Sequence, residues 1–236
     1  MDYHLIPQRR TILLFTWAAG CVDAIVYMAG HVFTANMTGN AVLLGISLGT
    51  DLSMAAVRSL VALITFILGV LAGAVLVGEK GHGIPWKGVR IAVMVEMAVM
   101  AMFASIFFLP FPLTMEWMVQ ALIVLSAFAM GLQSATVKRL NLPGIATTYI
   151  TGTMTSLISG LVHHWGSEDH AEDEQDSGGL DPSVALQAWV FILYALAAIV
   201  SAVVYKRWPV AVALLPLAAS VGVTISVYRQ HPPRSK

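Results

Sequence analysis

Apolar residues fill this chain in six long blocks: Thr11–Gly30, Met54–Gly78, Val89–Leu109, Trp117–Val137, Val184–Tyr205 and Val210–Tyr228. Each is close to the ~20 residues that a helix needs to cross the hydrocarbon core of a bilayer. Two further segments break the rhythm. His31–Thr50 and Pro143–Trp165 begin with polar residues and continue into short apolar runs, Ala41–Leu48 and Met154–Val162. A run of roughly ten residues makes about 15 Å of helix, half the core. These lengths predict half-helices that dip in and return, with Thr38 or Asn40 capping the first.

The two breaks resemble each other. Thr34-Ala35-Asn36-Met37-Thr38-Gly39-Asn40 aligns with Thr147-Thr148-Tyr149-Ile150-Thr151-Gly152-Thr153, and the match carries on through Leu44/Leu157 and Leu48/Leu161. Upstream, Gly20-Cys21-Val22-Asp23-Ala24 parallels Gly131-Leu132-Gln133-Ser134-Ala135. The fold expected is an all-α membrane protein of six spanning helices in two inverted three-helix repeats, each with a polar break and a half-helix. Residues 1–110 would form the first repeat and 111–236 the second, divided at Pro110-Phe111-Pro112. Polar interruptions at matching positions of two halves point to a transporter's binding site.

Composition agrees with a lipid environment: 58% of residues are apolar and 11% charged, against about 25% charged in soluble domains. Mean hydropathy is +0.78. Arg9, Arg10 and Ala18-Ala19-Gly20-Cys21 have the look of a lipoprotein signal. The apolar run continues past Cys21 to Ala29, so a spanning helix is the reading adopted.

Charge placement orients the helices. Lys and Arg collect on the cytoplasmic side. With six crossings and a cytoplasmic N-terminus, only Arg58, Lys206 and Arg207 of the 13 basic residues fall outside, a split of ten to three. Letting both dipping segments cross gives six to seven; letting only Pro143–Trp165 cross gives nine to four. Six crossings are preferred. The acidic loop at 167–183, from Glu168 to Asp181, reads as flexible and solvated.

The candidate solute site consists of Asn36, Thr38, Gly39, Asn40, Gln133, Thr151, Gly152 and Thr153. Two helix starts converging near the membrane centre would suit an anion or a polarised carbonyl. Gly39 and Gly152 also admit a packing reading, whereas Gly69-xxx-Gly73 is read as packing. Asp23 and Glu96 lie inside spanning segments, where a charge costs about 2.5–3.5 kcal/mol on insertion scales. They are the candidates for coupling a proton or cation, although Asp23 also reads as a helix-to-helix hydrogen-bond partner. His163, His164 and His170 match no defined metal spacing, and no catalytic, cofactor or nucleotide motif is found. A membrane-embedded enzyme is therefore not expected.

Gly20-x-x-Asp23, Phe33, Thr38-Gly39-Asn40, Gly131-x-Gln133 and Thr151-Gly152 together resemble the YoaK-like family of bacterial integral membrane proteins. Ser134 stands where an Asn is expected after Gln133 and is left out of the site. The resemblance implies a multi-pass protein of the bacterial inner membrane and names no substrate. The functional expectation is a transporter or permease for a small polar or anionic solute, with proton coupling open. A passive channel and a non-transporting assembly partner are the alternatives. Expected partners are the lipid bilayer and a small-molecule or ion substrate, with no nucleic acid and with a homo-oligomer left open.

Overall fold

A computed structural model describes residues 5–78, 86–140, 154–155, 157–160, 162 and 182–229. Seven α-helices run through them: α1 (Leu5–Gly30), α2 (Met37–Gly49), α3 (Ser53–Val77), α4 (Trp86–Ile106), α5 (Glu116–Leu140), α6 (Pro182–Arg207) and α7 (Leu214–Arg229). A 3-10 turn at Ala211–Ala213 leads into α7. Among the described residues no strand occurs. All but α2 are long and apolar enough to cross a membrane, α7 together with its 3-10 turn. The protein is thus an all-α membrane protein with six candidate spans, each within a few residues of the block that predicts it.

Helix ends follow local chemistry. Gly78 closes α3 at φ +75, its N–H bonded to the Ala74 carbonyl, a backbone angle that favours glycine. The α4–α5 connection holds Pro110 and Pro112, which cannot donate to a helix ladder. Glu116 opens α5, and Lys138 and Arg139 close it, matching the signs of the helix dipole.

Side-chain ties fix the helix directions. Arg58, near the start of α3, pairs with Glu116 at the start of α5 and donates to the Gly30 carbonyl that ends α1. Arg139, at the end of α5, donates to the Gly78 carbonyl at the end of α3. So α3 and α5 run parallel, and α3 runs against α1. Two ties set α1 against α7: the Thr11 and Ser226 hydroxyls bond at 2.8 Å, and Leu14 faces Gly222. Gln133 bonds the Phe15 carbonyl while Gly30 lies against Val119, which sets α1 against α5. Parallel α5 and α7, with α6 between them in sequence, put the end of α5 and the start of α6 at one end of the bundle. That is the six-crossing arrangement.

α1 packs on α6 and α7 as α5 packs on α3 and α4. The matched glycines mark both crossings: a Cβ on Gly20 would stand 2.5 Å from the Tyr194 carbonyl oxygen, and one on Gly131 2.1 Å from that of Phe66. Gly69 and Gly73 are packing residues, with a Gly69 Cβ placed 2.1 Å from the Phe128 carbonyl oxygen and a Gly73 Cβ 2.7 Å from Ala135. Without a hydrophobic drive between helices in lipid, such close backbone approach supplies much of the association. Outward apolar residues such as Leu60, Ile64 and Leu71 of α3 and Ile192, Ile199 and Val203 of α6 stay exposed, as a lipid-facing surface requires.

Two glycine substitutions should therefore move stability in opposite directions. Gly69→Ala forces α3 from α5 and should cost at least the ~1–3 kcal/mol of an overpacked core. Gly45→Ala, on a face of α2 with nothing within 4 Å, should gain about 0.5–1 kcal/mol from helix preference. Thermal melts in one detergent check both, and a lower Tm for the Gly45 variant would contradict this packing.

Candidate functional site

The first polar break is a built re-entrant segment. α1 stops at Gly30, and His31 takes a left-handed φ of 56 with its N–H on the Tyr27 carbonyl. The chain then folds back along α1. The Asp23 carboxylate, 3% exposed, receives it: one oxygen accepts the Thr34 N–H at 2.6 Å, the Ala35 N–H at 2.7 Å and the Thr34 hydroxyl at 3.2 Å. The other accepts the Tyr194 hydroxyl from α6 at 2.5 Å. At about 1.5 Å per residue, Asp23 is about 10 Å back from Gly30, roughly one turn from the middle of the Arg9–Gly30 span. The break therefore reaches close to mid-span.

Asn40 holds the other side of the turn. Its side-chain oxygen accepts the Phe33 N–H at 2.9 Å and its amide donates to the Phe33 carbonyl at 2.5 Å. Phe33 also stacks on Tyr27 at 4.9 Å between ring centroids. Asn36 caps α2, accepting the Gly39 N–H at 3.3 Å, so neither Thr38 nor Asn40 is the cap. The half-helix starts before the Thr-Gly-Asn triplet, which forms its first turn. Asn36, being placed just ahead of Met37, satisfies an N–H that Asn40 could not reach while bound to Phe33. α2 then returns to the end from which α3 starts, through a turn in which Asp51 adopts φ 56.

The predicted site residues fall into distinct environments. Asn36 and Thr38 are exposed and Gly39 half-buried, while Asn40 is fully buried. A Cβ on Gly39 would stand 3.0 Å from the Phe33 ring and 3.2 Å from the Asn36 amide. Gln133 is buried on α5 and donates to the Phe15 carbonyl at 3.1 Å, so it ties α5 to α1. Thr151, Gly152 and Thr153 lie outside the described residues, as do His163, His164 and His170. The second short helical stretch is seen at 157–160, where Gly160 lies against Val184 of α6, as α2 lies on α3. Among the described residues no group of three His, Cys, Asp or Glu forms a metal cluster.

The two acids are not alike. Asp23 has donors on both oxygens and works as a strut. Glu96 is 1% exposed on the inward stripe of α4, beside Ala92 and Val93, which pack with Leu132 and Val223 of α5 and α7. Neither of its oxygens has a hydrogen-bond partner among the described residues. Tyr194 was not readable as Asp23's partner from the sequence. Its only signal is the Gly20 crossing, which brings α6 onto α1.

The family described as "Protein of unknown function (DUF1275)" matches residues 11–227. The chain belongs to that family. It is also similar to the UPF0700 transmembrane protein YoaK of Bacillus subtilis (strain 168), with 39% identity over 155 residues, covering 65% of this chain and 67% of the relative. No solved structure matches. The matched region takes in the re-entrant segment, both acids and every described spanning helix except the first residues of α1 and the last of α7.

The strut can be tested by size of loss. Asp23→Ala leaves two buried N–H groups and the Tyr194 hydroxyl without their acceptor, each unmet group costing about 1–3 kcal/mol. Asp23→Asn keeps an acceptor for Thr34 and Ala35 and should lose far less. Tyr194→Phe should lie between them, and thermal unfolding of the three variants should give that order. Equal Tm values for Asp23→Ala and wild type would remove the strut.

Proposed function

We propose that this protein is a multi-pass inner-membrane transporter or permease for a small polar or anionic solute. The observation that carries the reading is the re-entrant segment: a capped helix start held near mid-span by two buried side chains, with Thr38 and Asn36 left exposed. Irregular backbone at such depth is tolerated where protein buries it or a watery cavity meets it. A helix start offers N–H groups and a positive dipole end to a solute's negative atoms. A hydroxyl at Thr38 adds a donor and an acceptor.

The inverted repeat is supported by three independent features. Each spanning helix of the first half runs against its counterpart, α1 against α5, α3 against α6 and α4 against α7. The packing partners exchange in step. Gly20 and Gly131 sit at equivalent crossings. In transporters with inverted repeats the solute binds at the repeat interface near the midplane, where Thr151-Gly152-Thr153 would supply the second half of the site.

Thr38→Val removes the hydroxyl and keeps shape at an exposed position. Against a panel of small carboxylates and polar metabolites, the wild-type protein should show a ligand-induced rise in Tm that this variant loses by at least tenfold in apparent affinity. Its ligand-free Tm should stay unchanged. Reconstituted in vesicles, the wild type should accumulate that ligand when a proton gradient is imposed. Flux that only follows the ligand's own gradient would make the protein a passive channel, and absence of any ligand response would favour an assembly partner.

Orientation has its own check. With an N-terminus inside, Ser53→Cys and Thr114→Cys, both exposed at the end tied by Arg58 and Glu116, should react with an impermeant thiol reagent from outside the cell. Lys87→Cys should react only from inside. Cys21 is buried and gives no background. Reaction of Ser53 and Thr114 from opposite sides would break the six-crossing arrangement.

A further inference from the structure

Glu96 sits where a membrane protein least tolerates an unmatched charge. It shares one face of α4 with Val89, Ala92, Val93, Val99, Met100 and Phe103, all buried. Both carboxyl oxygens are sealed from solvent, and neither is hydrogen-bonded among the described residues. The facing helix carries a second such group. The Thr224 hydroxyl lies 3.5 Å from the Val93 carbonyl oxygen, which sets the register of antiparallel α4 and α7. Ser220, one turn before Thr224, therefore stands at the level of Glu96. Its hydroxyl is also buried and without a partner among the described residues.

Among the described residues no cation is paired with the carboxyl. Of the helices packed against α4, the titratable groups lie near the ends: Arg58 on α3; Glu116, Lys138 and Arg139 on α5; Tyr228 and Arg229 on α7. Arg58 and Glu116 hold each other, Arg139 holds the Gly78 carbonyl, and Tyr228 contacts Met94 and Arg90. The buried polar groups these helices offer elsewhere are uncharged, such as Thr65, Ser126, Gln133 and Ser220. An ionised carboxylate here would bear the full cost of desolvation, whereas the neutral acid bears only that of a polar group.

We propose that Glu96 is a proton-binding site in the bundle core: this conformation holds it as a carboxylic acid, and release of its proton requires an approach of water or a polar group that this packing excludes. The step is proton binding to a carboxylate oxygen, with no other bond made or broken. A proton needs one oxygen, while a hard metal ion needs several, and no cluster of acidic or imidazole ligands surrounds Glu96 among the described residues. Ser220 is the group placed to exchange a hydrogen bond with the acid. Glu96's role as the coupling site rests on the transporter reading above; its holding of a proton does not.

Infrared spectroscopy of the full-length protein in lipid tests this without a known solute. At neutral pH the protein should show the C=O stretch of a protonated carboxyl. Carbon-13 labelling of glutamate should shift it. Glu96→Gln should abolish the band, Glu96→Asp should move it, and Asp23→Asn should leave it in place. Replacing sodium by choline should change nothing. Absence of a glutamate acid band in wild type, its survival in Glu96→Gln, or its appearance only when sodium is withdrawn would each overturn the proton site. Should the Gln variant not fold, the carbon-13 shift in wild type decides whether a glutamate holds the proton, and the Asp variant decides which one. Solute binding, read through Thr38→Val, is a separate result, so failure of one reading is distinguishable from failure of the other.

Discussion

The Asp23 carboxylate is the interaction on which the rest of this structure turns. A chain that leaves one helix and re-enters the membrane carries N–H groups that lipid cannot satisfy. Asp23 accepts two of them, from Thr34 and Ala35, and uses its remaining oxygen on Tyr194 of α6. One side chain thus sets the depth of the break and ties it to the other half of the protein. Asn40 closes the same turn by a two-way bond with the Phe33 backbone. With those groups met, α2 has a fixed start, and Asn36 and Thr38 are held in place rather than tumbling on a loose loop.

Around this turn the bundle is assembled by absence of side chain. α1 meets α6 at Gly20, α5 meets α3 at Gly69 and Gly131, and α4 meets α3 at Gly88, where a Cβ would stand 2.4 Å from the Leu76 carbonyl oxygen. Backbones that approach this closely gain dispersion contacts that a lipid tail cannot match as well. Polar ties then lock the ends, Arg58 at one and Arg139 at the other. The interior of the bundle holds apolar packing, the Asp23–Tyr194 and Gln133–Phe15 ties, and the buried Glu96.

Much of the fold is legible in the sequence because lipid imposes a simple rule: an apolar run of helical length either spans or is covered. The six blocks, the short half-helix and the packing role of Gly69 follow from it. The count of basic residues separates six crossings from seven for a different reason, since it depends on which side each end lies rather than on length. The site is less legible. Asn40 and Gln133 look from composition like ligand groups, and both are engaged with backbone carbonyls, because a buried amide is drawn to the nearest unmet backbone group. Asp23 belongs to the same class. Its partner Tyr194 is 171 residues away in sequence, and nothing local announces it. Thr151, Gly152 and Thr153 lie outside the described residues, so the second half of the candidate site rests on its sequence match to the first.

The two crossings built on Gly20 and Gly131 differ in one respect that bears on how the helices can move. At the first, Tyr194 faces Asp23; at the second, the equivalent places are taken by Phe66 and Ser134, whose hydroxyl bonds its own helix at the Met130 carbonyl. The first crossing thus carries a phenol–carboxylate bond that the second does not. Sliding α1 along α6 would have to break that bond as well as separate two backbones in contact.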